Sequence, residues 1–128
     1  MNTQDNKNIL IIDDMSTITV QMNLLLSKLG YIVTICHDVA SGINAFENGI
    51  FAFVTVDLLL PTEQDGYELL KNLKNKIKSD SIDTEIVVVS ARPKSEQETI
   101  CKELGADYYV EKNENWQEEL TNIINRRI

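Results

Sequence analysis

Two apolar runs in this chain end abruptly in carboxylates, and the more central of them ends in Asp57. The residues from Phe51 to Val56 carry no charge and are rich in β-branched and aromatic side chains, which is typical of a strand buried on both faces. Pro61 forbids a further ladder hydrogen bond, so this strand must end close to Asp57. Because an unpaired carboxylate inside a buried strand is costly, we predict that Asp57 lies at the strand's carboxyl end.

Polar residues also follow three other strand-like runs. They are the pair Asp13 and Asp14, then Ser90, and finally Lys112. Between the runs, apolar residues recur at helical spacing, which predicts five strands that alternate with five helices. This alternation predicts an α/β fold, a doubly wound five-stranded parallel sheet with helices on both faces. The carboxyl ends of parallel strands share one edge, so we expect these polar residues to be neighbours.

Carboxylates gathered at one edge repel one another, by up to about 4 kcal/mol per pair at an effective dielectric of about 20. A divalent cation would offset this repulsion. Oxygen ligands without histidine or cysteine suit Mg²⁺, which takes one or two carboxylates and keeps several waters. Lys112 would add a fixed positive charge and Ser90 a hydroxyl donor. A cation, an ammonium and a hydroxyl around a carboxylate form a receptacle for a phosphoryl group.

Two details of the helices can also be predicted. Asp65 is a better candidate than Asp57 for the N-cap of the third helix. In the fourth helix, we expect Ile100, Cys101 and Leu104 to face inward.

Composition restricts the remaining possibilities. The 128 residues predict a single domain, residues 1–128, of which the polar residues 1–7 are expected to fray. A formal charge of −8 argues against direct nucleic-acid binding. We find neither an apolar stretch long enough to span a membrane nor a signal peptide, and we therefore predict a cytoplasmic protein without a membrane partner. Cys36 and Cys101 lack metal-site spacing and are predicted to be reduced core residues.

In these features the chain resembles the response-regulator receiver domains of two-component signalling. The matching features, in chain order, are Asp13-Asp14, Asp57 with Pro61 four residues later, Ser90-Ala91 and Lys112. The resemblance extends from Asn8 to about Arg127. It implies a flavodoxin-like strand order of 2-1-3-4-5 and a regulator similar to the stand-alone chemotaxis regulators.

The resemblance also implies roles for the acidic residues and the lysine. Asp57 would accept a phosphoryl group from the phosphohistidine of a sensor histidine kinase or a histidine phosphotransfer protein. Asp14, Asp57 and the backbone carbonyl of Leu59 would ligate Mg²⁺, with Asp13 acting through water. Lys112 would pair with the phosphoryl oxygens. The chain would catalyse only its own phosphorylation and dephosphorylation.

Further implications concern the switch. Phosphorylation would draw the Ser90 hydroxyl inward and let Tyr109 follow, while Tyr108 points to the opposite face of the sheet. The surface of the fourth helix, fifth strand and fifth helix would then change and control an effector protein. The chain would be a monomer or a weak phosphorylation-dependent dimer. Exposed positions of the first helix would face the kinase, among them Thr17, Val20 and Gln21.

The sequence departs from the family pattern in two places. Four residues, 62–65, separate Pro61 from Gly66, where the family has three, so we expect a bulge or an extra turn that leaves the metal site intact. Asn113 replaces the usual proline after Lys112, which favours a trans peptide there.

Two other positions, those of Leu59 and Arg92, tune the lifetime of the phosphoryl group in the family. Arg92 could reach over the phosphoryl group or simply be exposed, and the sequence leaves both open.

Two alternative functions are each opposed by one feature of the sequence. A Mg²⁺-dependent phosphohydrolase of the haloacid dehalogenase type needs a second acid two residues after its nucleophile, where this chain has Leu59. A flavin-binding module would meet acidic residues after the first strand, and these repel phosphate. Within the receiver class, a phosphorelay intermediate and the receiver part of a longer protein remain open.

Overall fold

In the computed structural model, which describes residues 6–127, five parallel strands alternate with five helices. The strands are β1 (Asn8–Ile12), β2 (Ile32–Cys36), β3 (Phe53–Val56), β4 (Glu85–Ser90) and β5 (Tyr108–Glu111). The helices are α1 (Ser16–Lys28), α2 (Val39–Glu47), α3 (Glu63–Ser79), α4 (Lys94–Glu103) and α5 (Trp116–Asn125). The strand order is β2-β1-β3-β4-β5, which confirms the predicted doubly wound, flavodoxin-like sheet.

Helices cover both faces of the sheet, and alternate strand residues point to one face or the other. On the α2–α4 face, buried side chains of the helices include Phe46, Leu70 and Cys101. On the α1–α5 face they include Met22, Leu26 and Leu120. In β5, Tyr109 packs on the α2–α4 face and Tyr108 on the α1–α5 face, as the alternation predicts.

α3 begins with a capping box. The Thr62 hydroxyl accepts a hydrogen bond of 3.2 Å from the Asp65 amide, and Asp65 Oδ2 accepts one of 3.2 Å from the Thr62 amide. The prediction of Asp65 as the N-cap is therefore wrong. Thr62 has the extended backbone that the cap position requires, with φ −113° and ψ 162°, and Asp65 is the third helical residue. The 62–65 stretch thus forms the capped start of α3.

In α4, the prediction that Ile100 faces inward is also wrong. Ile100 is 41% exposed, whereas Cys101 is fully buried and Gln97, one turn earlier, is 5% exposed. Gln97 can be buried because its side-chain oxygen accepts a 2.5 Å hydrogen bond from the Tyr67 hydroxyl of α3. The polar partner therefore determines which stripe of the helix faces the core.

The amino-terminal segment is partly described. Residues 1–5, which belong to the stretch predicted to fray, lie outside the described residues. Asn6 and Lys7 belong to the same stretch but are held: Asn6 Oδ1 accepts from the Asn8 amide at 3.0 Å, and the Lys7 carbonyl accepts from the Ile32 amide at 2.6 Å. None of the helices between residues 6 and 127 combines the length and apolar character that crossing a membrane requires.

Candidate functional site

The central strands bring the predicted polar residues to one edge of the sheet. β3 lies between β1 and β4, and Ile12 is in register with Val56, so Asp13 and Asp57 leave neighbouring strands at the same level. The Asp57 amide continues the ladder with a 3.1 Å hydrogen bond to the Ile12 carbonyl. On the other side, the Lys112 amide donates a 2.7 Å hydrogen bond to the Ser90 carbonyl, which aligns the ends of β4 and β5.

Three carboxylates cluster at this edge. Asp13, Asp14 and Asp57 each offer one oxygen, and these oxygens all lie within 4.8 Å of one another. Asp13 and Asp57 are only 2% and 4% exposed, whereas Asp14 faces solvent. The cluster is therefore open on the side of Asp14 and closed on the side of the sheet.

Lys112 bridges the two buried carboxylates. Its Nζ lies 3.1 Å from Asp13 Oδ2 and 3.4 Å from Asp57 Oδ2, and its side chain is only 6% exposed. The thioether sulfur of Met15 lies 3.6 Å from the same nitrogen and covers it on the solvent side. One ammonium thus faces two buried carboxylates, with a third carboxylate beside them.

Backbone amides orient the remaining oxygens. Asp13 Oδ1 accepts from the Met15 amide at 2.9 Å, and Asp57 Oδ1 accepts from the Leu59 amide at 3.3 Å. Each buried acid therefore has one oxygen held by the backbone and the other directed to Lys112. These hydrogen bonds fix the rotation of both carboxylates.

The pKa of Asp57 lies above its ordinary value, mainly because burial penalises the charged form. The Lys112 ammonium opposes this increase in the pKa, and the Asp13 carboxylate adds to it. One ammonium is therefore not enough to compensate the buried negative charge. A second positive charge at the cluster would stabilise the ionised form of Asp57.

The donor set fits Mg²⁺. It consists of carboxylate oxygens, which are the hard ligands that this ion prefers, and the exposed Asp14 leaves a side at which waters can complete the coordination. Leu59 lies two residues after Asp57. Its carbonyl oxygen as a metal ligand stays a prediction.

Ser90 and Tyr109 meet at the backbone of Arg92. The Ser90 hydroxyl oxygen accepts from the Arg92 amide at 3.1 Å, and the Tyr109 hydroxyl donates to the Arg92 carbonyl at 2.7 Å. Ser90 is fully buried and Tyr109 is 2% exposed. Burial raises the pKa of Tyr109 to about 12. The two predicted switch residues are thus connected through the backbone of Arg92, which both of them bind.

The loop after Asp57 approaches α3 closely. A Cβ added to Gly66 would lie 2.0 Å from the Leu58 carbonyl oxygen, so only glycine fits at this position. The cis peptide of the described chain is Leu60–Pro61, and the Lys112–Asn113 peptide is trans, as predicted from the absence of proline at position 113.

Comparison with known proteins identifies the family. The protein-family model of the response regulator receiver domain matches the sequence of this chain over residues 9–125. The chain belongs to this family. Receiver domains act in two-component signalling, in which phosphorylation activates them, and they bind Mg²⁺ at an acidic pocket.

Relatives of this receiver domain include longer regulators. The uncharacterised transcriptional regulatory protein YkoG of Bacillus subtilis is 33% identical over 115 residues, which cover 90% of this chain and 48% of YkoG. The sensory transduction protein RegX3 of Mycolicibacterium smegmatis is 30% identical over 104 residues, or 81% of this chain and 43% of RegX3. The receiver domain therefore spans about half the length of the curated relatives that it matches.

Solved structures agree in fold. A CheY-like receiver domain protein from Methanospirillum hungatei has a TM-score of 0.80 at 27% identity, covering 96% of this chain and 94% of its own. The regulator TrrA of Thermotoga maritima, solved in complex with Mg²⁺-BeF, has a TM-score of 0.80 at 24% identity, covering 95% and 99%. At that identity the second likeness shows the fold alone.

Several residues beside the receiver site were not predicted from the sequence. His37 Nδ1 lies 3.0 Å from the Asp13 carbonyl, Met15 covers Lys112, and Glu63 contacts Arg92. A signal existed for His37, because it directly follows β2 just as Asp13 follows β1. Met15 and Glu63 carry no comparable signal, since their contacts depend on how two loops are folded.

Proposed function

We propose that Asp57 is the residue of this receiver domain that accepts the phosphoryl group. The observation that carries the proposal is the buried pair of Asp57 and Lys112, 3.4 Å apart beside two further carboxylates. A nucleophilic carboxylate at this place has a fixed cation within reach of the group that it would receive.

The choice of Asp57 over Asp13 is supported by the contacts of the two carboxylates. Asp13 is held at 2.9 Å by the Met15 amide and at 3.1 Å by Lys112. The corresponding contacts of Asp57 are longer, 3.3 Å to the Leu59 amide and 3.4 Å to Lys112. Of the two acids, Asp57 accepts a hydrogen bond from the Lys112 ammonium, which would keep that cation beside a phosphoryl group on Asp57.

In the proposed reaction, a carboxylate oxygen of Asp57 attacks the phosphorus of a phosphohistidine. The new oxygen–phosphorus bond forms as the phosphorus–nitrogen bond breaks, and the imidazole of the donor leaves with the bonding electrons. Lys112 stabilises the negative charge on the phosphoryl oxygens. Asp14 and Asp57, with Asp13 through water and the Leu59 carbonyl, would hold Mg²⁺. When bound, Mg²⁺ supplies charge neutralisation to the transferring phosphoryl group.

We further propose that the response passes through Ser90 and Tyr109 to the surface of α4, β5 and α5. On this surface Lys94 of α4 forms a 3.0 Å ion pair with Glu119 of α5, and the Arg126 guanidinium lies 5.4 Å from the Tyr108 ring. These contacts support a surface that can be rearranged when α4 or β5 moves. An effector protein would recognise it, whether the domain acts as a monomer or as a weak dimer.

The donor would be a sensor histidine kinase or a histidine phosphotransfer protein that docks on α1. Exposed α1 residues near the site support this, and Val20 is 57% exposed. The domain would work as a cytoplasmic switch, without a separate substrate to turn over. Leu59 speaks against the phosphohydrolase alternative, because it occupies the position at which that chemistry needs a second acid.

The phosphoacceptor can be tested with acetyl phosphate and intact-protein mass. The wild type should gain one phosphoryl group in Mg²⁺ and none in the presence of a chelator. Asp57→Asn should abolish the gain. Asp13→Asn is the matched control, since it also removes a buried carboxylate next to Lys112, and it should slow the gain without abolishing it. A gain that persists in Asp57→Asn would overturn the assignment.

The output surface is tested separately by hydrogen–deuterium exchange with and without phosphorylation. The proposal expects the largest changes in α4, β5 and α5. Changes confined to α2 or to β2 would contradict it.

A further inference from the structure

The 62–65 stretch is in direct contact with Arg92, one of the two positions that tune the phosphoryl lifetime in the family. Glu63 lies in the 62–65 stretch that holds the extra residue, and its Oε2 lies 3.2 Å from Nε of Arg92. The same oxygen lies 3.5 Å from Nε2 of the buried Gln97 in α4. The first turn of α3 is thereby tied to the loop between β4 and α4 and to α4 itself.

This loop also contacts the two proposed switch residues, Ser90 and Tyr109. The Arg92 amide bonds to Ser90 and the Arg92 carbonyl bonds to Tyr109, while the Arg92 guanidinium bonds to Glu63. Tyr109 is buried beside this loop, in an inward position. In this inward position its hydroxyl reaches the Arg92 carbonyl, so a contact that fixes Arg92 also bears on where Tyr109 lies.

We propose that Glu63 is a positioning residue: it holds Arg92 so that the Arg92 carbonyl receives the Tyr109 hydroxyl, and Tyr109 is inward before phosphorylation. Without Glu63, the inward position would depend on phosphorylation. The inference rests on the proposed function only in assigning the phosphoryl group to Asp57.

The expected size of the effect follows from exposure. The side chains of Glu63 and Arg92 are 33% and 44% exposed, and ion pairs of this kind shift an equilibrium by about fivefold at most. Such a bias matters when the inward and outward positions of Tyr109 are close in free energy. The contact thus shifts the equilibrium between the inward and outward positions of Tyr109 without fixing the side chain in either position.

The chain contains a matched control in Glu96. Its Oε2 lies 3.5 Å from Nη2 of Arg92, and it stands in the first turn of α4 just as Glu63 stands in the first turn of α3. Glu96 is 58% exposed and makes no link to α3 in the described residues. Glu63→Gln and Glu96→Gln remove the same charge from the same partner, and only the first removes the tie to α3.

The test uses ¹⁹F NMR of protein labelled with 3-fluorotyrosine, with the Tyr109 signal assigned through Tyr109→Phe. Without phosphorylation, Glu63→Gln and Arg92→Gln should each lower the inward-to-outward ratio about two- to fivefold. Their combination should go no further than either alone. Glu96→Gln should stay within twofold of the wild type. The charge exchange E63R with R92E should restore the ratio.

Phosphorylation provides the second half of the test. Acetyl phosphate with Mg²⁺ should return Tyr109 to the inward position in Glu63→Gln, with phosphorylation verified by intact mass. Equal ratios in the wild type, Glu63→Gln and Glu96→Gln would overturn the inference, whatever the mass shows. Absence of a mass gain in the wild type would instead overturn the proposed function and leave the unphosphorylated comparison valid.

Discussion

The Lys112 ammonium lies 3.4 Å from the Asp57 carboxylate, although 55 residues separate them along the chain. The same ammonium lies 3.1 Å from Asp13, so one cation serves two buried acids. Lys112 is therefore expected to stabilise the folded domain, in addition to any role in phosphorylation. Its removal leaves carboxylates buried against one another.

Lys112→Met should therefore destabilise the domain by about 3 kcal/mol or more in the absence of Mg²⁺. Mg²⁺ should recover more stability in this variant than in the wild type, because it replaces the missing positive charge. Urea unfolding with and without MgCl₂ measures both effects. Lys102→Met, which removes a lysine paired at the surface with Glu98, is the control and should change the stability by less than about 1 kcal/mol. Equal stability of Lys112→Met and the wild type without Mg²⁺ would contradict the prediction.

Gly66→Ala should cost about 3 kcal/mol or more, since its Cβ would meet the Leu58 carbonyl oxygen at 2.0 Å and backbone would have to move. Because Leu58 follows Asp57, phosphorylation by acetyl phosphate should also slow. Gln64→Ala, an exposed change in the same helical turn, should stay within about 0.5 kcal/mol. The denaturant midpoints of the two variants and the wild type measure these changes in stability. A Gly66→Ala variant as stable as the wild type would show that the loop does not pack closely against α3.

Tyr109→Phe should alter how stability depends on alkaline pH. The pKa of Tyr109 rises from 10.0 to about 12 in the fold, because burial disfavours the phenolate. The unfolded state therefore loses this proton first. The stability from the neutral phenol is complete below pH 10 and is lost as the pH rises toward 12, by up to about 3 kcal/mol.

The variant lacks this group, so its free energy of unfolding should fall less than that of the wild type between pH 9 and pH 12. Urea unfolding at a series of pH values, with each protein referred to its own stability at pH 7, gives the comparison. Parallel curves for the two proteins would refute the prediction.

The two cysteines should differ strongly toward thiol reagents. Cys101 is fully buried, and burial, together with the charge of Glu63, raises its pKa to about 11, whereas Cys36 is half-buried at the end of β2. The thiolate is the reactive form. In Cys36→Ser, the remaining thiol should react with iodoacetamide at pH 8 at least about a hundredfold more slowly than a free thiol, and at the full rate after unfolding. Mass spectrometry follows the reaction, and a fast native reaction would disprove the buried placement.

The sheet and the main site are predictable because their signals are local. The central strands are mostly apolar and carry no charge in their interiors, and the polar residues at their carboxyl ends must lie at the sheet edge. Asp13, Asp57 and Lys112 could therefore be placed together before any distance was known.

The features that the sequence did not predict depend on partners far along the chain. Gln97 is buried because Tyr67, 30 residues earlier, provides a hydrogen bond, and Ile100 is left outside as a result. Thr62 rather than Asp65 caps α3 because the cap depends on the backbone angles of the loop. The contact of Glu63 with Arg92 likewise requires the actual path of two loops.

The division of the core into two faces has a consequence for how such a domain can diversify. α1 and α5 pack on one side of the sheet, and α2, α3 and α4 pack on the other, with the strands as a partition between them. Substitutions that adapt α1 to a different phosphoryl donor need not disturb the packing of α3 and α4, between which Glu63 contacts Arg92. Under the two proposals made above, donor choice and the balance of the Tyr109 positions can therefore change independently in evolution, although both concern phosphorylation of Asp57.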